Sequence, residues 1–260
     1  MELFIIGFTA LFIAALTLFS GFGLGTVLMP VFALFFPVEL AVAATAVVHF
    51  ANNLFKLGLV ARRAEWRTVA RFGIPAALAA AIGAHLLIAS GDLPALGSYT
   101  LGGTLYEIAF LKLVIGALIV LFALLELSAR FQALAFPPRW LPLGGMLSGF
   151  FGGLSGNQGA LRSAFLLKAG LSKEVFVATG VVCAVIVDAS RLAIYGTGSM
   201  AAHLSGSREI AIPVAVGVVC AFIGSYFGKK LLHKVTLRAV QLTVASMMLI
   251  VGLGLMIGLL

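Results

Sequence analysis

Charge is what this chain has least of. Only 10% of its 260 residues are Asp, Glu, Lys or Arg, while 62% are hydrophobic. Soluble domains carry about 25% charged and about 45–50% apolar residues. Too few charges remain to cover a globular surface, so a water-soluble enzyme is excluded. Cysteine is nearly missing. Cys183 and Cys220 stand alone inside apolar runs with no CxxC spacing, which excludes a zinc site and a disulfide framework. There is no Walker motif, no HExxH and no other catalytic spacing, so neither an ATP site nor a hydrolase centre is read. A basic n-region is also lacking after Met1-Glu2, and Leu3–Phe19 is expected to be a retained helix.

What is present is long apolar sequence. A hydrocarbon core of about 30 Å takes roughly 20 helical residues per crossing, which allows at most about ten crossings here. The expectation is an all-α polytopic membrane protein whose first partner is the lipid bilayer. Its net charge of +8 would suit nucleic acid in a soluble protein, but the cations gather in short loops. Arg62, Arg63 and Arg67 fill one loop, Arg130 and Arg139 flank a second, and Lys229, Lys230 and Lys234 fill a third. That is the pattern of cytoplasmic loops in an inner membrane, so no nucleic acid is expected. Residues 91–106 carry no cation and are read as external, as is the stretch 197–208 despite His203 and Arg208.

Two apolar runs, Thr26–Phe36 and Ala160–Ala169, are too short to span. Each follows a glycine-rich break, Ser20-Gly21-Phe22-Gly23-Leu24-Gly25 and Gly152-Gly153-Leu154-Ser155-Gly156-Asn157-Gln158-Gly159. Glycine costs roughly 1 kcal/mol against alanine inside a helix, so both breaks read as unwound backbone at membrane depth. Gly25 precedes Thr45 by 20 positions and Gly159 precedes Thr179 by 20, and Ala44–Val48 matches Ala178–Val182 at an offset of 134. The chain reads as a duplication. If the second broken helix enters and returns, all three basic loops fall on one side, and the halves become inverted repeats. The expected division is a first repeat at 1–128 (hairpin 3–36, helices 38–60, 72–90 and 108–127), a cytoplasmic linker at 129–139, and a second repeat at 140–260 (hairpin 140–169, helices 175–194, 210–227 and 235–260). Both termini are then periplasmic.

In that topology two half-helix N-termini meet near the midplane, and their free N–H groups form an anion site. Gly23, Gly25 and Thr26 contribute from the first break, and Asn157, Gln158 and Gly159 from the second. Arg162 adds a guanidinium whose planar fork suits oxyanions, or else it pairs with Asp188 or with backbone carbonyls. Thr45 and Thr179 occupy equivalent positions near the pseudo-twofold and have hydroxyls to offer a substrate, or to their own backbone. His49, Asn52, Asn53 and Lys56 form a polar stripe at i, i+3, i+4 and i+7. His49 is a candidate proton carrier, the asparagines line a pathway or bond helices together, and Lys56 is expected to snorkel to the cytoplasmic interface. Asp188 and Arg191 read as an intrahelical pair or as a switchable network with Arg162. Lys112, His85 and Glu126 read as interfacial or packing residues. No cofactor or metal is expected.

The segment Ser20–Pro30 followed by Ala44-Thr45 resembles the first motif of the TauE/SafE sulfite-exporter family, and Gly149–Ser163 followed by Ala178-Thr179 resembles the second. The resemblance covers essentially the whole chain. It implies transport of a small sulfur oxyanion such as sulfite, sulfoacetate or a related sulfonate across the bacterial inner membrane. This sequence departs from the common pattern at Leu24 and Thr26 around Gly25, and at Asn157-Gln158 before Gly159, which leaves substrate choice within that class open. Export is the expected direction. A proton-coupled importer or a channel for a small anion is the alternative, and homodimer formation is left open. An intramembrane enzyme has only the depth of His49, Asp188 and Cys183 in its favour. The topology makes a direct prediction: single cysteines beside Arg63 and Lys230 label from the cytoplasmic side and one at Ser98 from outside, whereas external labelling at Lys230 would overturn the inverted repeat.

Overall fold

The computed structural model describes residues 1–16, 23–91, 93–167, 169–197, 208–231 and 237–260. Helices dominate, about 80% of the structure. In chain order they are α1 (Glu2–Leu16), α2 (Leu24–Ala33), α3 (Val38–Val60), α4 (Trp66–Gly91), α5 (Phe110–Leu127), α6 (Ala129–Gln132), α7 (Leu141–Ser155), α8 (Gly159–Leu166), α9 (Lys173–Tyr195), α10 (Arg208–Leu231) and α11 (Leu237–Met256). Among the described residues, five helices are long and apolar enough to cross a membrane: α3, α4, α5, α9 and α10. The chain is a helical membrane protein. At 1.5 Å per residue, α2 and α8 reach only about 15 and about 12 Å, as their short apolar runs require.

One expectation is corrected. The chain is not wholly helical, because strands β1 (Ala95–Leu101) and β2 (Thr104–Ala109) form an antiparallel hairpin between α4 and α5. The signal lay in Gly102-Gly103, both at positive φ (60° and 84°), between two runs rich in Leu, Tyr, Thr and Ile. Such a pair supplies the mirror-image turn that matches strand twist. Tyr99 and Tyr106 stack across the strands at 5.5 Å, and the Tyr99 hydroxyl donates to the Ile257 carbonyl at 2.7 Å. Helix ends also move. α4 begins at Trp66 rather than Phe72 and α10 continues through Lys229 and Lys230, so those lysines belong to a helix terminus and not to a loop. Apolarity marks the part of a helix in hydrocarbon, whereas the helix itself runs on into the interface. The first break at Ser20–Phe22, the stretch 198–207 and Lys234 lie outside the described residues.

The tightest packing uses glycine. On α7, Gly145, Gly149 and Gly153 recur once per turn and press against the carbonyls of Phe72, Ala76 and Ala80 on α4. A Cβ at any of the three would stand 2.0–2.1 Å from the oxygen it faces. On α10, Gly224 and Gly228 meet the carbonyls of Leu11 and Ala15 on α1 in the same way. Lipid chains are as apolar as leucine, so helices in a membrane gain by close van der Waals contact, and small residues permit it. In both pairs the matched residues rise together, so α7 runs parallel to α4 and α10 runs parallel to α1. α5 and α11 cross antiparallel, with Gly116 on Gly252 and Met256.

These pairings fix where helices begin. The bundle has one end with the β-hairpin and another with Arg62 and Arg63. α7 and α9 both start at the arginine end, the latter because Thr179 bonds Glu65 at 3.0 Å. α7 and α8 therefore fold back on each other: Phe136 N–H donates to the Ala164 carbonyl at 3.3 Å, and the Phe136 and Phe165 rings stack at 4.3 Å. α10 starts at the hairpin end, alongside α3, where Val48 packs on Gly217. Gly149→Ala is expected to lower the thermal unfolding midpoint of the detergent-solubilised protein, since overpacking costs about 1–3 kcal/mol. Gly58→Ala, where nothing lies within 4 Å of the new methyl, should leave the midpoint unchanged or raise it.

Candidate functional site

Broken helices leave unpaired backbone groups on both sides of the gap. At the α7–α8 break the chain turns through Gly156 at φ 81°, the left-handed region that glycine enters without cost. Carbonyls in the last turn of α7 find donors on α9. Arg191 NH1 donates to the Gly152 carbonyl at 2.9 Å, and the Tyr195 hydroxyl donates to the Gly153 carbonyl. A cation at a helix C-terminus is also favoured by the dipole. Arg191 is fully buried and is held by Asp188, Nε to Oδ1 at 3.0 Å and NH2 to Oδ1 at 2.8 Å.

On the other side of the gap, among the described residues, no side chain caps α8, whose N-cap is Gln158, or α2, whose N-cap is Gly23 at φ 124°. The first turn of α2 lies against the second break. A Cβ on Gly25 would stand 3.5 Å from the Gly156 carbonyl oxygen and 3.5 Å from Cδ2 of His49. The two short helices and α3 thus meet at one point, and every residue of α2 is buried. Thr26 and Asn157 are buried there as well, Asn157 donating to Ser155 Oγ at 3.2 Å.

Four buried side chains from three elements continue from this point. Arg162 NH1 donates to Gln158 Oε1 at 3.1 Å. Gln158 Nε2 donates to Asp188 Oδ1 at 3.0 Å. Asp188 Oδ2 pairs with His49 Nδ1 at 2.6 Å. The Asn53 amide nitrogen sits 3.1 and 3.2 Å from the two ring nitrogens of His49. None of Arg162, Gln158, Asp188 or His49 is more than 7% exposed. Charges this deep are tolerated only when paired and hydrogen-bonded.

A profile described as Sulfite exporter TauE/SafE matches residues 3–255. The chain belongs to the TauE/SafE sulfite exporter family. That is a family of membrane transporters and not of enzymes. No curated protein and no solved structure matches the chain. In this TauE/SafE member, Asp188 and Arg191 are in contact within α9. They form the intrahelical pair, and through Gln158 they are joined to Arg162.

Other residues separate. Asn52 bonds α3 to α10. With its amide oriented to satisfy both neighbours, it donates to Ser225 Oγ at 2.7 Å and accepts from Lys56 Nζ at 3.3 Å. Lys56 is therefore not snorkelling but is 7% exposed, drawn inward by an acceptor one turn away. Thr179 Oγ1 accepts from the Glu65 N–H, while Thr45 Oγ1, fully buried, has no hydrogen-bond partner among the described residues. Tyr195 and Ser148 were not foreseen. Tyr195 follows Asp188 and Arg191 at i+7 and i+4, so it extends their helix face, a signal the sequence does carry. Ser148 donates to the Gln158 carbonyl at 2.8 Å. At the hairpin end, where α2 finishes, a cavity of about 420 Å³ is lined by Phe36, Glu39, Ser90 and Lys112 among others.

Glu65 supports the frame from outside the membrane-spanning segments. Its carboxylate caps α4, accepting from the Thr68 N–H at 2.5 Å and the Arg67 N–H at 3.1 Å. Those bonds, Thr68 first, hold its pKa below the ordinary carboxylate value. A depressed pKa stabilises the fold above the unfolded value, about 4.3, and that contribution is lost as pH falls through the folded value. The unfolding midpoint of the wild type should fall between pH 5 and pH 3 more than that of Glu65→Gln.

Proposed function

We propose that this TauE/SafE protein is a secondary carrier that exports a small sulfur oxyanion, sulfite or a sulfonate such as sulfoacetate, across a bacterial inner membrane. One observation carries the reading: the uncapped first turn of α2 abuts the α7–α8 break, beside a buried Arg162. Backbone N–H groups and a guanidinium form a positive, hydrogen-bond-donating centre without bulky side chains. Gly23, Gly25, Thr26, Asn157, Gly159 and Arg162 are the proposed ligands, with Gln158 and the hydroxyl of Thr45, unengaged among the described residues, beside them. Thr179 ranks below Thr45 because its hydroxyl already serves Glu65.

The proposed architecture is two inverted repeats, 1–128 and 140–260, joined by 129–139. Its support is an exchange of partners. α1 lies on α10 as α7 lies on α4, and the hairpins α1–α2 and α7–α8 fold back from opposite ends of the bundle. The arginine end faces the cytoplasm by the positive-inside rule, which puts both termini in the periplasm. Because the closest interfaces join the two halves, the bodies that move in alternating access are each hairpin with its partner helix. An inside-negative potential favours anion export by about 2.3 kcal/mol per charge per 100 mV, so no nucleotide is required.

The deciding experiment is tracer sulfite flux in proteoliposomes under an imposed potential, with a sulfonate competitor. Saturable, potential-dependent flux is expected. Arg162→Ala should reduce it at least about a hundredfold, as loss of a charged hydrogen-bonding partner costs several kcal/mol, while the protein remains inserted. Undiminished flux in that variant rules out Arg162 as a ligand, and conductance that never saturates would favour a channel.

A further inference from the structure

The carrier reading leaves one arrangement unused, the line of hydrogen bonds from Arg162 through Gln158 and Asp188 to His49. From it we infer that a proton is a co-substrate of this site, carried on His49 together with the anion, and that Gln158 is the positioning residue which couples the two. The inference rests on the carrier reading.

The charges around His49 set the sign. Asp188 and Arg191 face it from α9 and Arg162 from α8, with Cys183 on the Arg162 side, while Lys56, two turns further along α3, is bonded to Asn52. α2 brings Gly25 and α10 brings Ser225 through Asn52, neither of them charged. The cations outnumber the single carboxylate. A positive charge on His49 in the empty site adds to that surplus, whereas an oxyanion on Arg162 offsets it. Anion and proton therefore reinforce each other's binding, and by linkage the effect is mutual.

Gln158 adds geometry to charge. Its oxygen is engaged by Arg162 NH1 and its nitrogen by Asp188 Oδ1, so the amide has one orientation that serves both. An anion that takes NH1 leaves Oε1 without its donor, and the amide can then turn away from Asp188. Having lost one donor, the Asp188 carboxylate holds the proton on His49 more firmly. The balance is simple. Nδ1–H stays on Asp188, the incoming proton adds to the Nε2 lone pair, and the Asn53 amide, 3.2 Å away, rotates from donor to acceptor. No other bond is made or broken. Fully ionised sulfite carries two negative charges, so one accompanying proton leaves one negative charge moving and the potential still drives export.

The test follows tracer sulfite and internal pH together in proteoliposomes, for the wild type, His49→Gln and Gln158→Met. Sulfite's own titration contributes equally to all three, so the difference in protons moved per sulfite is read. About one more proton per sulfite is expected in the wild type than in either variant, whatever the variants' residual rates. Equal ratios overturn the inference. If a variant is too slow to follow, sulfite-dependent thermal stabilisation of the solubilised protein is measured against pH. The apparent wild-type affinity should rise up to tenfold more per unit fall in pH than that of the variant, and matching slopes again overturn it. Absence of sulfite flux in the wild type itself would defeat the carrier reading, and this inference with it.

Discussion

A helix broken where water does not reach must find partners for carbonyls on one side of the gap and for amides on the other. The centre of this protein is organised around that demand. Arg191 and Tyr195 supply donors to the carbonyls of Gly152 and Gly153, and Asp188 is there to hold Arg191. The amide side receives no side-chain cap among the described residues. At the break the Gly156 carbonyl oxygen lies against the first turn of α2, while the carbonyls of Gly152 and Gly153 are engaged by side chains. A cation site would need those same carbonyls free.

Close helix contact then joins segments that are remote in sequence. The glycine ridges on α7 and α10 press against the backbones of α4 and α1, and surfaces packed this closely separate poorly. Each hairpin is thus packed closely on a helix remote in sequence. The polar line from Arg162 to His49 crosses from α8 to α3 by way of α9.

Much of this was legible beforehand, for definite reasons. The short helices α2 and α8 follow from apolar runs that cannot span and from glycines that interrupt them. Burial of His49, Asn52 and Asn53 follows from their position on one face of α3. The β-hairpin was missed because a reading of loop charge does not register strand alternation, although Gly102-Gly103 marked the turn. Lys56 was misplaced because a lysine stem reaches equally well inward or outward. Only a neighbour settles the choice, and Asn52, four residues earlier, provides it.

The amino-acid sequence by itself determined the solvent, the helices, the broken segments and the inventory of buried polar groups. Those depend on composition and local periodicity, which every stretch of chain carries within itself. Tertiary structure alone decided that Gln158 lies between Arg162 and Asp188, that Asp188 meets His49 139 positions away, and that Thr179 serves a loop while Thr45 does not. Pairings of that kind depend on which helices approach and in which direction. The approach is set by glycine contacts between segments far apart in the chain, so it exists only once the helices have packed.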